Sequence, residues 1–141
     1  MSVGVEFHTG VADPVGFACR LLRKAHRQGA RVAVTAPGQL LTQLDQALWT
    51  FDAASFVPHV RVPGVAAALA DRTPIWLLAG DAPPGAPAGR VTSGAEAPPR
   101  PEGIARLIEV VGDDPDAIAA GRDRWRTYEG WGVKPVHHAA R

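Results

Sequence analysis

The strongest constraint on the fold is an alternation of strand and helix patterns at the start of the chain. Residues 3–8 alternate apolar and polar side chains, as in a short strand, and residues 31–35 form an apolar β-branched run typical of a buried parallel strand. Between them, Asp13 and Pro14 begin a helix as N-cap and first helical residue, and Gly29 ends it. Strand, helix and strand over about thirty residues form a βαβ unit, which places the two strands parallel.

The rest of the chain continues this alternation. Four further elements are predicted, namely a helix over 39–49, a strand over 75–79, a last strand over 107–111 and a final helix over 113–128. Residues 52–63 show no clear period, and the Pro/Gly-rich residues 80–103 are predicted to be mostly loop, with a short strand at 90–92. Together these elements predict the α/β class, as a single three-layer Rossmann-like domain over residues 1–141 with a mostly parallel sheet of about five strands.

Size and charge exclude several classes of protein. The chain has 141 residues, of which 46% are hydrophobic, and its net charge is +1, so coating of nucleic acid or membrane through bulk charge is not expected. The N-terminus lacks a secretory pattern, and no apolar run approaches the roughly 20 residues that span a bilayer. A single cysteine, Cys19, cannot form an internal disulfide, so a cytoplasmic location is expected. Charge is uneven, however, because residues 121–141 hold five basic and two acidic groups and would attract an acidic partner.

No catalytic, cofactor or metal site emerges from the motifs. The chain contains neither GxGxxG nor GxxxxGK[ST] to hold phosphates, and GxSxG is absent. Its five histidines lack the spacing of a zinc site: His8, His26, His59, His137 and His138. Of these, His26 and the adjacent pair His137 and His138 are expected to be solvated. In an extended chain the last two point in opposite directions. The alternative is a small Rossmann-like nucleotide-binding protein or enzyme that uses Asp45 and His59.

Two clusters of residues predict contacts with other proteins. The first holds six aromatic, apolar and histidine residues within eleven positions, largely outside regular structure: Trp49, Phe51, Phe56, Val57, Pro58 and His59. Aromatic anchors with few charges are typical of interface centres, and the alternative is a loop that folds back to cap the core.

The second cluster lies on the final helix. Arg122, Trp125 and Arg126 share one face at spacings i, i+3 and i+4, whereas Arg124 lies on the flank that also carries Tyr128. An aromatic ring between two guanidinium groups suits a ligand with a carboxylate and an apolar or aromatic end. The alternative is a solvated amphipathic helix with Trp125 packed inward.

The sequence resembles a known family at these same residues. The segment LDxALW at 44–49, followed by SFVPH at 55–59, is similar to the signature of the chi subunit of bacterial DNA polymerase III. RDRWRxY at 122–128 is similar to the closing helix of that family. The resemblance covers nearly the whole chain. It implies a non-catalytic, replisome-associated clamp-loader accessory that pairs with the psi subunit, binds the acidic C-terminal tail of single-stranded DNA-binding protein and contacts DNA only indirectly.

The resemblance also implies where each partner binds. The psi interface would comprise Trp49, Phe56, Val57, Pro58 and His59. The site for the acidic tail would comprise Arg122, Trp125 and Arg126, with Val111 as an apolar wall. Where some family members have a lysine one turn before the first arginine, this chain has Ile118, which removes one tail contact. Binding of a charged tail should weaken as salt rises.

Overall fold

The computed structural model describes residues 3–50 and 56–139 and contains one sheet of seven parallel strands. The strands are β1 (Gly4–Val11), β2 (Val32–Thr35), β3 (His59–Val62), β4 (Ile75–Leu78), β5 (Gly89–Ser93), β6 (Arg106–Gly112) and β7 (Val136–Ala139). The helices are α1 (Pro14–Arg27), α2 (Gly38–Thr50), α3 (Ala67–Arg72) and α4 (Pro115–Gly130). Across the sheet the strands run in the order β3-β4-β2-β5-β6-β1-β7, and every neighbouring pair is parallel.

The predicted α/β class with a parallel sheet is confirmed, but the sheet has seven strands where about five were expected. The two strands missing from the prediction, β3 and β7, form the edges of the sheet. None of the side chains of β3 is fully buried, and all four of β7 are exposed. Edge strands of this kind lack the continuous apolar run that marks a central parallel strand. The short strand expected at 90–92 is present as β5.

The helix boundaries follow the capping residues in the sequence. The Asp13 carboxylate accepts a hydrogen bond from the amide of Gly16 at 3.0 Å and caps α1. The Asp114 carboxylate accepts one from the amide of Ala117 at 2.8 Å and caps α4 in the same way. Gly29, with φ +75°, allows the chain to turn away after α1 into β2.

Helices cover both faces of the sheet. Helices α1 and α2 pack over one face, where their leucines meet the apolar side chains of β2 and β4. Helix α4 packs over β1 and β6 on the other face, and α3 lies beside the buried Trp76 of β4. Alternation along β1 separates its side chains, since Val5 and Phe7 face α4 whereas His8 contacts Phe17 of α1.

Cys19 is buried in α1, where burial and, secondarily, Asp13 raise the pKa of its thiol to about 11, so the thiol stays protonated and inert at neutral pH. Within residues 3–50 and 56–139, no helix is both long enough and apolar enough to cross a membrane.

Candidate functional site

A groove of about 600 Å³, here called the α4 groove, lies between α4 and the sheet where β6, β1 and β7 meet. All four residues predicted for the acidic tail line it, namely Val111, Arg122, Trp125 and Arg126. Phe7 and Thr9 of β1 and His137 of β7 complete the sheet side of the groove. The structure therefore brings the predicted residues together in one concave surface.

The apolar part of the groove depends on close packing of α4 against β6. A Cβ atom added at Gly121 would lie 3.2 Å from both methyl carbons of Val111, so this glycine permits the helix to approach the strand. Trp125 packs on Phe7 with ring centroids 4.9 Å apart and lies edge-on to His137 at 6.4 Å. Trp125 thus packs against the sheet and also lines the groove, which combines the two orientations considered for it.

The cationic part of the groove consists of the exposed Arg122 and Arg126. Nη1 of Arg126 lies 3.1 Å from Oδ1 of Asp123, and both side chains are solvated. The guanidinium of Arg122 makes no ion pair or hydrogen bond to another residue in the described part of the chain. Ile118, at the position where a lysine was considered, adds an exposed apolar side chain to the groove.

A buried polar cluster that the sequence did not reveal joins α4 to β6. Nε of Arg124 donates to both carboxylate oxygens of Glu109 at 3.0 Å, and the Tyr128 hydroxyl donates to Oε2 of the same carboxylate. All three side chains are buried. Burial raises the pKa of Glu109 to about 7, although the charge of Arg124 and the hydrogen bonds from Tyr128 and Arg124 act in the opposite direction. Burial and the Glu109 charge also raise the pKa of Tyr128 well above its ordinary value.

This cluster fixes the rotation of α4 about its own axis. Arg124 and Tyr128 point inward to Glu109. Arg122 and Trp125 lie about one-third of a turn around the helix from them, and this face therefore points to the groove. Two signals in the sequence could have revealed it. One is a lone glutamate inside the apolar strand LIEVV, and the other is the i, i+4 spacing of Arg124 and Tyr128.

The second predicted interface, here called the Trp49 patch, consists of Trp49, Phe56, Pro58 and His59. Trp49 is 64% exposed and Phe56 is 49% exposed, although their rings contact each other with centroids 4.9 Å apart. Val57 is fully buried in the core, so it supports the patch from below and does not present its side chain to a partner. Phe51, which belongs to the same sequence cluster, and Ser55, the first residue of the SFVPH segment, lie outside the described residues.

His59 connects the patch to α2. Its Nε2 lies 2.8 Å from Oδ1 of Asp45, and its Nδ1 lies 2.7 Å from the carbonyl oxygen of Val57. The ring is only 1% exposed and contacts both exposed aromatic rings, at 5.5 Å and 5.8 Å. Both ring nitrogens are thus engaged within the protein, which leaves neither available to a substrate in an enzyme that uses Asp45 and His59.

A third group of polar residues lies at the β7 edge of the sheet and is here called the edge cluster. It comprises Glu6, His8 and His138, whose potential ligand atoms all lie within 4.8 Å of one another. Burial would raise the pKa of Glu6, but the hydrogen bond and charge of Arg106 and the nearby histidines lower it overall. Burial and the charge of His138 lower the pKa of His8. Spacing along the sequence could not reveal this group, because its histidines lie at opposite ends of the chain.

The adjacent histidines of β7 point to opposite faces of the sheet, as the sequence analysis predicted. His137 faces the α4 groove, where its Nε2 lies 2.6 Å from Oγ1 of Thr9. His138 faces the other side and stacks on His8 with ring centroids 4.8 Å apart. Both are exposed, but each has a definite contact.

Comparison with known proteins matches nearly the whole chain to one family. The family model described as DNA polymerase III chi subunit, HolC, matches residues 3–136. The chain is also 32% identical over 131 residues to the DNA polymerase III subunit chi of Pseudomonas aeruginosa. The aligned region covers 90% of this chain and 89% of that relative. The matched region includes the Trp49 patch and almost all of the α4 groove.

Proposed function

The chain belongs to the DNA polymerase III chi subunit family, and from this premise we propose that it is a non-catalytic adaptor in the bacterial cytoplasm. In this role it bridges the clamp loader, through the psi subunit, to the acidic C-terminal tail of single-stranded DNA-binding protein. It contacts DNA only through these partners. The family places the chain in DNA replication, and the assignment of the two partners to two surfaces is our proposal.

The α4 groove carries the proposal for the acidic tail. A peptide that ends in a free carboxylate requires a cationic contact, and Arg122 offers a guanidinium that no described residue pairs. The terminal apolar or aromatic side chain of such a peptide requires an apolar wall, which Val111, Trp125 and Ile118 provide. Burial of one large apolar side chain contributes about 1.5–3 kcal/mol, so the groove supplies affinity and the arginines supply orientation and attraction at long range.

The Trp49 patch supports the proposal for psi pairing. Trp49 and Phe56 expose large aromatic surfaces that the fold itself does not cover. The underlying His59 ring, held by Asp45 and by the Val57 carbonyl, restricts their movement. Ordered aromatic side chains lose little conformational entropy when a partner covers them, which favours their use as anchors.

Two separate surfaces allow the chain to work as a bridge. The α4 groove lies over β6, β1 and β7, whereas the Trp49 patch lies at the opposite edge of the sheet, beside β3. Occupation of one surface therefore leaves the other accessible. When both partners belong to one assembly, the second contact forms at an effective concentration of the order of millimolar, so two modest contacts give a strong link.

The experiment that tests the tail site is fluorescence anisotropy of a labelled acidic peptide with a C-terminal aromatic residue, titrated with the full chain. We expect saturable binding that weakens with salt and is lost when the terminal aromatic residue is deleted. Arg122→Ala should weaken binding by about tenfold or more, since a hydrogen bond to a charged group contributes about 1.5–3 kcal/mol.

Arg20→Ala is the matched control, because this exposed arginine lies on α1 at the other face of the sheet. It should bind the peptide as the unchanged chain does. Equal affinity of the Arg122→Ala chain and the unchanged chain would contradict the assignment of the tail to the α4 groove, and equal weakening by both substitutions would indicate attraction by overall charge alone.

A further inference from the structure

We propose that the edge cluster of Glu6, His8 and His138 is a binding site for one divalent transition-metal ion, with zinc as the best match. Two imidazole nitrogens and one carboxylate oxygen form a ligand set that zinc uses when a fourth position is left to water. Magnesium and calcium prefer oxygen ligands and do not suit two histidines. The site shares no residue with either proposed partner surface.

The parallel pairing of β1 with β7 brings the three side chains to one face. Glu6 and His8 are two residues apart in β1, so their side chains project from the same side of the sheet. The register pairs His8 directly with His138 of β7, and paired residues of parallel strands share a face. The backbone therefore places all three ligands before any ion binds.

The side chains are already near the positions that a metal ion requires. Oε2 of Glu6 lies 3.6 Å from Nε2 of His8 and 3.8 Å from Nε2 of His138. Ligands bound to zinc at about 2.0–2.2 Å with tetrahedral angles lie about 3.4 Å from one another, so small rotations of the side chains suffice. Both Nε2 atoms face the carboxylate, as these two distances show, and the stacked rings, at an angle of 19°, need only tilt for their lone pairs to converge on one ion.

Arg106 orients the carboxylate for this role. Its Nη2 lies 2.8 Å from Oε1 of Glu6, and this contact leaves Oε2 directed to the two histidines. A partner that holds the second oxygen of a ligating carboxylate is typical of metal sites. The positive charge of Arg106 opposes a cation, so the site is expected to favour ions that bind imidazole strongly over those held by charge alone.

The test is a titration of the untagged full chain with zinc chloride alone, followed by isothermal titration calorimetry and by thermal unfolding. We expect one zinc ion per chain and a melting temperature that rises with zinc concentration, because the ion joins β7 to β1 only in the folded state. Cobalt, bound in place of zinc, should give the visible absorption of a four-coordinate nitrogen and oxygen site.

Three variants separate this site from other histidines. His138→Ala and Glu6→Gln should each weaken zinc binding by about tenfold or more. Both chains should remain folded, because the His138 side chain is 50% exposed and the Glu6→Gln change keeps the size of a side chain that is 27% exposed. His26→Ala removes a histidine of α1 and should bind zinc as the unchanged chain does. Absence of saturable binding, full affinity in the His138→Ala chain, or an equal loss with His26→Ala would each overturn the proposal.

Discussion

The substitution Glu109→Gln is expected to change how the free energy of unfolding depends on pH. In the folded chain, burial raises the pKa of Glu109 from its ordinary value of 4.5 to about 7. Between these two values the folded state holds a proton that the unfolded state has released. The free energy of unfolding therefore falls as pH rises through this window, because the unfolded state binds fewer protons than the folded state.

The magnitude follows from the size of the pKa change. One pKa unit corresponds to about 1.4 kcal/mol, so a rise from 4.5 to about 7 corresponds to about 3 kcal/mol of stability lost between acid and neutral pH. Glutamine cannot titrate, although its oxygen can still accept a hydrogen bond from Arg124. The stability advantage of the unchanged chain over the Glu109→Gln chain should thus be largest near pH 4.5 and shrink by about 3 kcal/mol towards pH 8.

The assay is urea unfolding followed by tryptophan fluorescence at a series of pH values for both chains. The difference between them removes the titration of other groups, such as His8, whose lowered pKa has the opposite effect on stability. Glu102→Gln, which removes an exposed carboxyl, is the matched control and should run parallel to the unchanged chain. A difference between the unchanged and Glu109→Gln chains that stays constant over this range would refute the argument that burial dominates the ionisation of Glu109.

Two further substitutions test the packing of α4 and the Trp49 patch. Gly121→Ala should give a chain about 1 kcal/mol less stable than Gly130→Ala in urea unfolding, because an added methyl meets Val111 at the first position and open space at the second. The same substitution should weaken peptide binding in the α4 groove. Trp49→Ala should reduce co-purification with the psi subunit. Because the Trp49 side chain is mostly exposed, this substitution should leave the melting temperature and peptide binding nearly unchanged. Unimpaired co-purification would place the psi interface elsewhere.

Hydrophobic periodicity predicted those elements of the fold that bury a continuous apolar face. Strands β2, β4 and β6 contain apolar runs with buried side chains. Helix α1 begins after Asp13, which the sequence identifies as its N-cap, and α4 begins within two residues of the predicted start at 113. Strands β3 and β7 could not be found in this way, because β3 buries none of its side chains completely and those of β7 are all exposed. Their positions depend on pairing with β4 and β1, and that pairing is tertiary information.

The candidate site could be predicted in part. Helical spacing grouped Arg122, Trp125 and Arg126 correctly, since the geometry of a helix fixes which residues share a face. Spacing could not show that Val57 points into the core, because the segment before β3 has no regular period from which side-chain direction follows. It also could not show that Glu109 is the partner of Arg124, since the two meet only when α4 packs on β6.

Strand β7 has a consequence for communication between the two faces of the sheet. It is a short edge strand that pairs only with β1 in the described structure, and its neighbouring histidines contact the α4 groove on one side and the edge cluster on the other. A peptide in the α4 groove and a metal ion in the edge cluster would both contact this strand, so each would restrict its conformation. We therefore expect the affinities of the two proposed sites for peptide and for zinc to be thermodynamically linked, with each ligand raising the affinity of the other by the same factor.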